Sequence, residues 1–329
     1  MPWADHLPDQ KLAADVSAGL AAVDKLMWES IKDEQPFVTE TSAHLVNAGG
    51  KRIRPLLALL CAQFGDEPLA PAVISGATLC EILHIATLYH DDVMDEAKLR
   101  RGATSANVRW GNTVAILTGD FMFAVASKIA SELGSFVIDI QTMTSRRLVT
   151  GQLRETIGWS PNLSKEEHYL KVVSDKTSSL FSAACQIGAR LAGASEQHIG
   201  SVSRYAESLG IAFQLSDDVL DITGDEALGK DIGADLRAGA PTLPVIYVKQ
   251  DAAPADSRLL ELLGRDLSDC EEDLAEALRL LRKHEVIRRV RAELRRYVDQ
   301  SFAALDDLPG TPAKRSLRSL AEFMITRQV

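Results

Sequence analysis

Residues 81–95 read EILHIATLYHDDVMD, and residues 207–221 read ESLGIAFQLSDDVLD. Each is an apolar helical run ending in one acidic pattern, Asp91-Asp92-x-x-Asp95 in the first and Asp217-Asp218-x-x-Asp221 in the second. On a helix the three carboxylates of one copy fall within about 100° of arc and about 6 Å of length. The apolar lead-ins turn such helices toward an interior, where several unpaired carboxylates are costly. A cation resolves the conflict. Oxygen-only ligands favour Mg²⁺ over zinc or copper, and Mg²⁺ takes one or two carboxylates, keeps waters and binds substrate phosphate oxygens. Two clusters therefore imply a phosphorylated ligand held between them. One copy alone would read as a solvated acidic turn; the repeat with the same lead-in argues against that. A calcium loop needs alternating oxygen ligands, a central Gly and a final Glu, and is a poor alternative.

Outside these stretches strand signals are scarce. Aromatic residues make up only 5%, and apolar residues recur at three and four positions over most of the chain, which predicts an all-α protein. Helices are expected at 9–33, 39–48, 55–64, 70–97, 113–132, 135–158, 164–192, 196–222, 242–250, 256–264, 268–284, 285–306 and 312–327. With 329 residues, 46% of them hydrophobic, there is ample material for a core. No low-complexity linker or solenoid period divides the chain, so residues 1–329 are expected to form a single domain. The Gly-rich segment 223–241, TGDEALGKDIGADLRAGAP, follows the second acidic cluster directly and reads as a lid over a diphosphate.

The net charge of −10 argues against general nucleic-acid binding, and the basic residues of KHEVIRRVRAELRRY (283–297) are spaced as a solvated helix face. Cys61, Cys80, Cys185 and Cys270 form no CxxC pair, so reduced, buried thiols and a cytosolic setting are expected. No signal-peptide pattern opens the chain, and no apolar run is read as approaching the roughly 20 residues that span a bilayer. The expectation is a soluble cytoplasmic protein without a transmembrane segment, touching membranes at most transiently through an apolar product.

Basic groups gather where an anionic substrate needs them. Lys51, Arg52 and Arg54 follow Gly49-Gly50, and Arg100 and Arg101 follow the first acidic cluster; Lys176-Thr177 and Lys230 are further candidates. Arg makes forked bonds to phosphate oxygens and Lys supplies a point charge. Either group alone could equally offset a helix macrodipole. His84 lies seven residues before Asp91, two turns away on the same helical face.

The segments GGKRIRP, LHIATLYHDDVMDEAKLRRG, NVRWGNTVAILTGDFMF, DKTSSLF, FQLSDDVLDITGD and GKDIGADLRAGAPTLP together resemble the trans-type polyprenyl diphosphate synthases, isoprenoid chain-elongating prenyltransferases. The resemblance runs in order over roughly residues 40 to 250. It implies a bundle of about ten or more helices around a central cavity, with the two Asp clusters facing each other across its mouth. It implies Mg²⁺, three ions per site, bound through Asp91, Asp92 and Asp95 and through Asp217, Asp218 and, by way of water, Asp221. Arg100, Lys176 and Lys230 match groups that hold an allylic diphosphate. Lys51, Arg54, His84 and Arg101 match groups that hold isopentenyl diphosphate. Thr177 and Gln214, with Lys176, match residues near the reacting carbons. A homodimer is implied, with the apolar helix from about Asn112 to Ala130 as an interface element. Many members carry a Lys just before Thr-Leu-Pro where this chain has Gly239-Ala240-Pro241, which puts one auxiliary phosphate contact in doubt.

Product length is read from the wall upstream of the first cluster. Short-chain members place bulky aromatics four and five residues before it, where this chain has Thr87 and Ala86. Leu83 and Ile82, one turn deeper, could narrow the tunnel, as could Phe121 or Met122. The expected product is an all-trans chain of thirty carbons or more, of the kind used as a quinone side chain, with geranylgeranyl diphosphate as the runner-up. A terpene cyclase would carry a second motif of Asn/Asp, Ser/Thr and Glu at wider spacing, and a non-catalytic partner subunit would be expected to lose one cluster.

Overall fold

A computed structural model describes residues 7–224, 232–251, 253–268 and 270–326. It is all-α apart from one antiparallel pair of two-residue strands, Leu99–Arg100 and Ala103–Thr104. The helices are α1 (Gln10–Ser30), α2 (Pro36–Asn47), α3 (Ile53–Ala62), α4 (Pro71–Met94), α5 (Ala106–Trp110), α6 (Asn112–Leu133), α7 (Ser135–Ile157) and α8 (Lys165–Val173). A π-turn (Ser174–Ser178) leads into α9 (Ser179–Leu191), followed by α10 (Glu196–Thr223), α11 (Ala234–Arg237), α12 (Leu243–Gln250) and a 3₁₀ turn (Pro254–Asp256). The chain continues through α13 (Ser257–Leu262), α14 (Glu271–Lys283), α15 (Val286–Leu305) and α16 (Pro312–Thr326).

Local chemistry sets the starts of these helices. The Asp9 carboxylate accepts the Leu12 N–H at 2.9 Å and caps α1. Pro36 and Pro71 stand in the first turns of α2 and α4, where a missing N–H costs nothing. Ser164 and Glu167 form a reciprocal capping box on α8. Three features differ from the periodicity reading. Short α5 and α11 occupy stretches expected to be loop, and the predicted 164–192 helix contains a π-turn at its centre.

The described residues fall into two compact units. The first comprises the described residues of 7–146, 180–203 and 305–317, and the second those of 147–179, 204–304 and 318–326. In the first, α4 packs against α1, α3 and α6 and carries much of the core, with Leu79, Ile82, Ile85, Ala86 and Tyr89 fully buried. Two glycines let α9 close onto α3 and α4. A Cβ on Gly188 would stand 2.1 Å from the Ala58 carbonyl oxygen, and one on Gly76 2.5 Å from Ile187 Cγ2. In the second unit, α8 packs on α12, and α13 on α14.

Contrary to the expectation that no run reaches membrane-spanning length, α4 and α6 are both long and apolar enough by length and composition. The apolar window of α4 is 67% buried within the protein, whereas that of α6 is only 39% buried. Cys61, Cys80 and Cys185 are buried free thiols, and Cys270 is partly exposed.

Candidate active site

The first acidic cluster ends α4, with Asp95 as its C-cap. Asp92 is wholly buried. Its Oδ1 accepts the Arg100 Nε–H at 2.6 Å, while its Oδ2 has no hydrogen-bond partner. Burial raises the Asp92 pKa above the usual carboxylate range, and the Arg100 charge opposes that shift. A buried carboxylate oxygen without a donor is what a cation would satisfy. Arg100, matched by the resemblance to a group on the allylic diphosphate, pairs with Asp92 in this structure.

Four arginines surround His84. Burial, and then the charges of Arg54, Arg101, Arg100 and Arg52, hold its pKa well below the ordinary 6.5, so the ring is neutral. His84 Nδ1 and Arg54 Nε are both buried without a partner. Burial also lowers the Arg54 pKa to about 10, against the opposing pull of Glu81, and its guanidinium lies 5.4 Å from the centre of the Phe181 ring. Arg101, with φ +53°, donates to the carbonyls of Leu45 and Gly49. Its guanidinium lies so close to Gly50 that a Cβ there would stand 2.9 Å from it. The backbone of Gly50, with φ +147°, favours glycine at this position. Lys51 is exposed beside this group. Cationic donors around a neutral imidazole, with the Arg54 Nε–H unpaired, fit a polyanion such as a diphosphate.

Arg52 belongs elsewhere. Only 6% exposed, it donates to Asp24 at 2.9 Å and to the buried Glu81 at 3.0 Å, tying the loop before α3 to α1 and α4. Its backbone is left-handed, with φ +49°, which turns its side chain from the course of its neighbours.

In the second unit, the second cluster lies in the last turns of α10. Asp218 is 1% exposed. Its Oδ2 accepts the Tyr169 hydroxyl at 2.6 Å and the Leu243 N–H at 3.3 Å, and its Oδ1 accepts Gln214 Nε2 at 3.1 Å. Burial pushes its pKa up to about 6 even though all three bonds pull it down. Thr177 Oγ1 donates to Gln214 Oε1 at 3.3 Å, so Thr177, Gln214 and Asp218 form one hydrogen-bonded chain. Lys176 pairs with Glu155. The Asp221 carboxylate accepts the N–H groups of Ala234 at 3.1 Å and Asp235 at 3.2 Å and so caps α11. Lys230 lies outside the described residues, as does 225–231 of the expected lid.

A cavity of about 430 Å³ opens in this unit, lined by Lys176, Thr177, Gln214 and Asp218 together with Tyr169 and Gly239–Pro241. The segment lacking the family Lys thus borders the cavity. Among the described residues, no three His, Cys, Asp or Glu side chains converge closely enough to hold an ion by themselves.

Of the chain-length candidates, Thr87 on α4 and Phe121 on α6 keep accessible surface. Ala86, Ile82 and Leu83 are enclosed on α4, and Met122 is enclosed on α6.

The polyprenyl synthetase family profile matches residues 35–281. The chain belongs to this family. It is 42% identical over 322 residues to a nonaprenyl diphosphate synthase of Mycobacterium tuberculosis, covering 98% of this chain and 96% of that protein. Among solved structures, it matches a geranylgeranyl pyrophosphate synthase from Corynebacterium glutamicum complexed with calcium and isoprenyl diphosphate. That match has TM-score 0.88 and 39% identity and covers 98% and 99% of the two chains. A decaprenyl diphosphate synthase from Rhodobacter capsulatus matches with TM-score 0.87 and 34% identity, covering 98% and 100%. Members of the polyprenyl synthetase family use isopentenyl and allylic diphosphates.

Two site features escaped the sequence reading. Tyr169 lies seven residues before Lys176, so helical spacing alone could have placed both on one face. The π-turn has no such signal, because SDKTS carries no Gly or Pro and fits an uninterrupted helix as well.

Proposed function

We propose that this chain condenses isopentenyl diphosphate head to tail onto an allylic diphosphate, making an all-trans polyprenyl diphosphate of thirty carbons or more that suits a quinone side chain. The observation that carries this reading is the set of Arg54 and Arg101 beside neutral His84, with Arg54 Nε and His84 Nδ1 buried and unpaired. A pocket of that kind suits the diphosphate of isopentenyl diphosphate, with Lys51, Arg54, His84 and Arg101 as its contacts. Asp91, Asp92, Asp95, Asp217 and Asp218 would hold Mg²⁺, with Asp221 reaching it only through water. Bound Mg²⁺ would neutralise charge on the departing diphosphate.

Arg100 and Lys176 add fixed positive charge for the same leaving group. The allylic C–O bond breaks, leaving an allylic cation. Thr177 and Gln214 present oxygen dipoles beside that carbon. The double bond of isopentenyl diphosphate attacks it, forming the new C–C bond, and a proton is then lost, with the released diphosphate as its acceptor. Holding both substrates in line supplies much of the remaining rate.

Geranylgeranyl diphosphate is the second reading, supported by 39% identity over 98% of this chain to a geranylgeranyl pyrophosphate synthase. We place the activity in the cytoplasm, in a homodimer. Incubation of radiolabelled isopentenyl diphosphate with each allylic primer and Mg²⁺, followed by product sizing, tests activity and length together. Asp92→Asn and Asp218→Asn are each expected to cut turnover by about 100-fold or more with the fold intact. Near-normal turnover of either at saturating Mg²⁺ would refute the metal assignment.

A further inference from the structure

Lys176 and Thr177 sit on a π-turn, a geometry in which the Ser179 N–H reaches back five residues to the Ser174 carbonyl. Such turns are rare and concentrate at functional sites, because the wider loop is held only when its surroundings fix it. Here the surroundings are two helix faces of the same unit. On α7, Arg147, Gly151 and Arg154 share one face; on α10, Glu207, Gly210 and Gln214 share another.

The glycines let backbone meet backbone. A Cβ on Gly151 would stand 2.8 Å from Asp175 Cβ and 3.0 Å from Lys176 Cγ, and one on Gly210 would stand 2.5 Å from Ser178 Cα. The charged groups complete the clamp. Arg147 Nη2 donates to the Ser174 carbonyl at 2.8 Å, the same oxygen that accepts the π bond, and to Ser174 Oγ at 2.9 Å. Arg147 Nε donates to Asp175 at 3.2 Å, and Arg154 donates to the other Asp175 oxygen. The far edge of the same guanidinium takes both Glu207 oxygens, at 2.6 and 3.0 Å. One planar fork thus joins α7, the first two residues of the π-turn and α10, which a lysine could not do.

We propose that Arg147 is a positioning residue: oriented by Glu207, it fixes the π-turn and thereby places Lys176 and Thr177 for the allylic substrate. Arg147 does not line the cavity and touches no candidate substrate group. This rests on the prenyltransferase reading above.

The test compares the wild type with Arg147→Gln, Arg147→Lys and Glu207→Gln in steady-state assays varying each substrate in turn, with thermal unfolding in parallel. A displaced π-turn raises the allylic KM and lowers kcat, together costing up to about 100-fold in kcat/KM, while the isopentenyl KM is unchanged. Arg147→Lys restores little, because the fork is lost. Glu207→Gln gives the same split more weakly, and it keeps the test open if Arg147→Gln fails to fold. Loss of folded enzyme alone would lower kcat and leave both KM values untouched, and that result overturns the proposal. So does wild-type behaviour of all three variants. A wild-type chain that incorporates no isopentenyl diphosphate overturns the functional reading and this proposal with it. An active wild type whose variants keep their allylic KM overturns the proposal alone.

Discussion

At the scale of single residues, position in the sequence reported identity better than direction. Lys51, Arg52 and Arg54 read as one basic group, yet the left-handed backbone at Arg52 turns that residue inward to Asp24 and Glu81. Nothing in the spacing distinguishes it from its neighbours. His84 is a different case: its spacing from Asp91 puts it on the same helical face, while its neutral state follows only from burial and the arginines around it. Because its folded pKa is depressed below 6.5, the unfolded chain binds the extra proton first as pH falls. The contribution of His84 to stability is therefore complete above about pH 6.5 and shrinks on acidification below it. Urea unfolding at pH 7.5 and 5.5 is expected to show a smaller acid-induced loss in His84→Gln than in the wild type; an equal loss would mean the ring is protonated without penalty. The tunnel wall offers a second residue-scale prediction. Thr87 keeps accessible surface, so Thr87→Phe is expected to shorten the product while condensation continues. Ala86 is enclosed, with Gly119 of α6 close to its carbonyl, so Ala86→Phe should shorten the product too but cost about 1–3 kcal/mol through overpacking. Product chromatography with one primer and excess isopentenyl diphosphate measures both, and an unchanged distribution in Thr87→Phe would remove it from the wall.

At the scale of elements, hydrophobic periodicity located the long helices within a few residues, because one face of each is in the core and the pattern records it. It failed where no pattern of period 3.6 exists to be read. The five residues of α5 and four of α11 are too short to show a face, and α11 depends on the distant Asp221 carboxylate for its cap. The π-turn depends on glycines from two other helices, so its cause lies outside its own sequence. Close helix contacts through glycine give an element-scale prediction. Inside an exposed helix, Gly→Ala stabilises by about 1 kcal/mol through propensity. At Gly188 the new Cβ would lie 2.1 Å from the backbone oxygen of Ala58, a neighbour that cannot rotate away. Gly188→Ala is therefore expected to destabilise by about 1–3 kcal/mol, because α9 must move off α3. Chemical unfolding of the variant checks this, and a gain in stability would show that the contact between the two helices yields at little cost.

At the scale of the molecule, the all-α class and the acidic balance were legible from composition, whereas the second face of α6 was not. Ala115, Thr118, Met122, Ala126 and Ile129 of that helix are buried, as an amphipathic helix requires. Yet Ile116 is 42% and Leu117 60% exposed, so apolar residues run round more of the helix than one core contact uses. A sequence reports that a helix has two apolar sides without saying what covers the second. The same helix passes a membrane-spanning test by composition, which makes a lipid surface the competing occupant. A second copy of the chain is favoured here because α7, next in sequence, also exposes Ile138 and Met143. Exposed apolar residues on two successive helices suit an interface. The prediction is a homodimer at micromolar concentration by sedimentation velocity, shifted to monomer by Leu117→Glu, since a buried unpaired carboxylate opposes association strongly. Vesicle flotation of the wild type provides the opposing arm. A wild-type monomer that floats with vesicles would assign the face to lipid, and a wild-type dimer unaffected by Leu117→Glu would place the interface elsewhere on the chain.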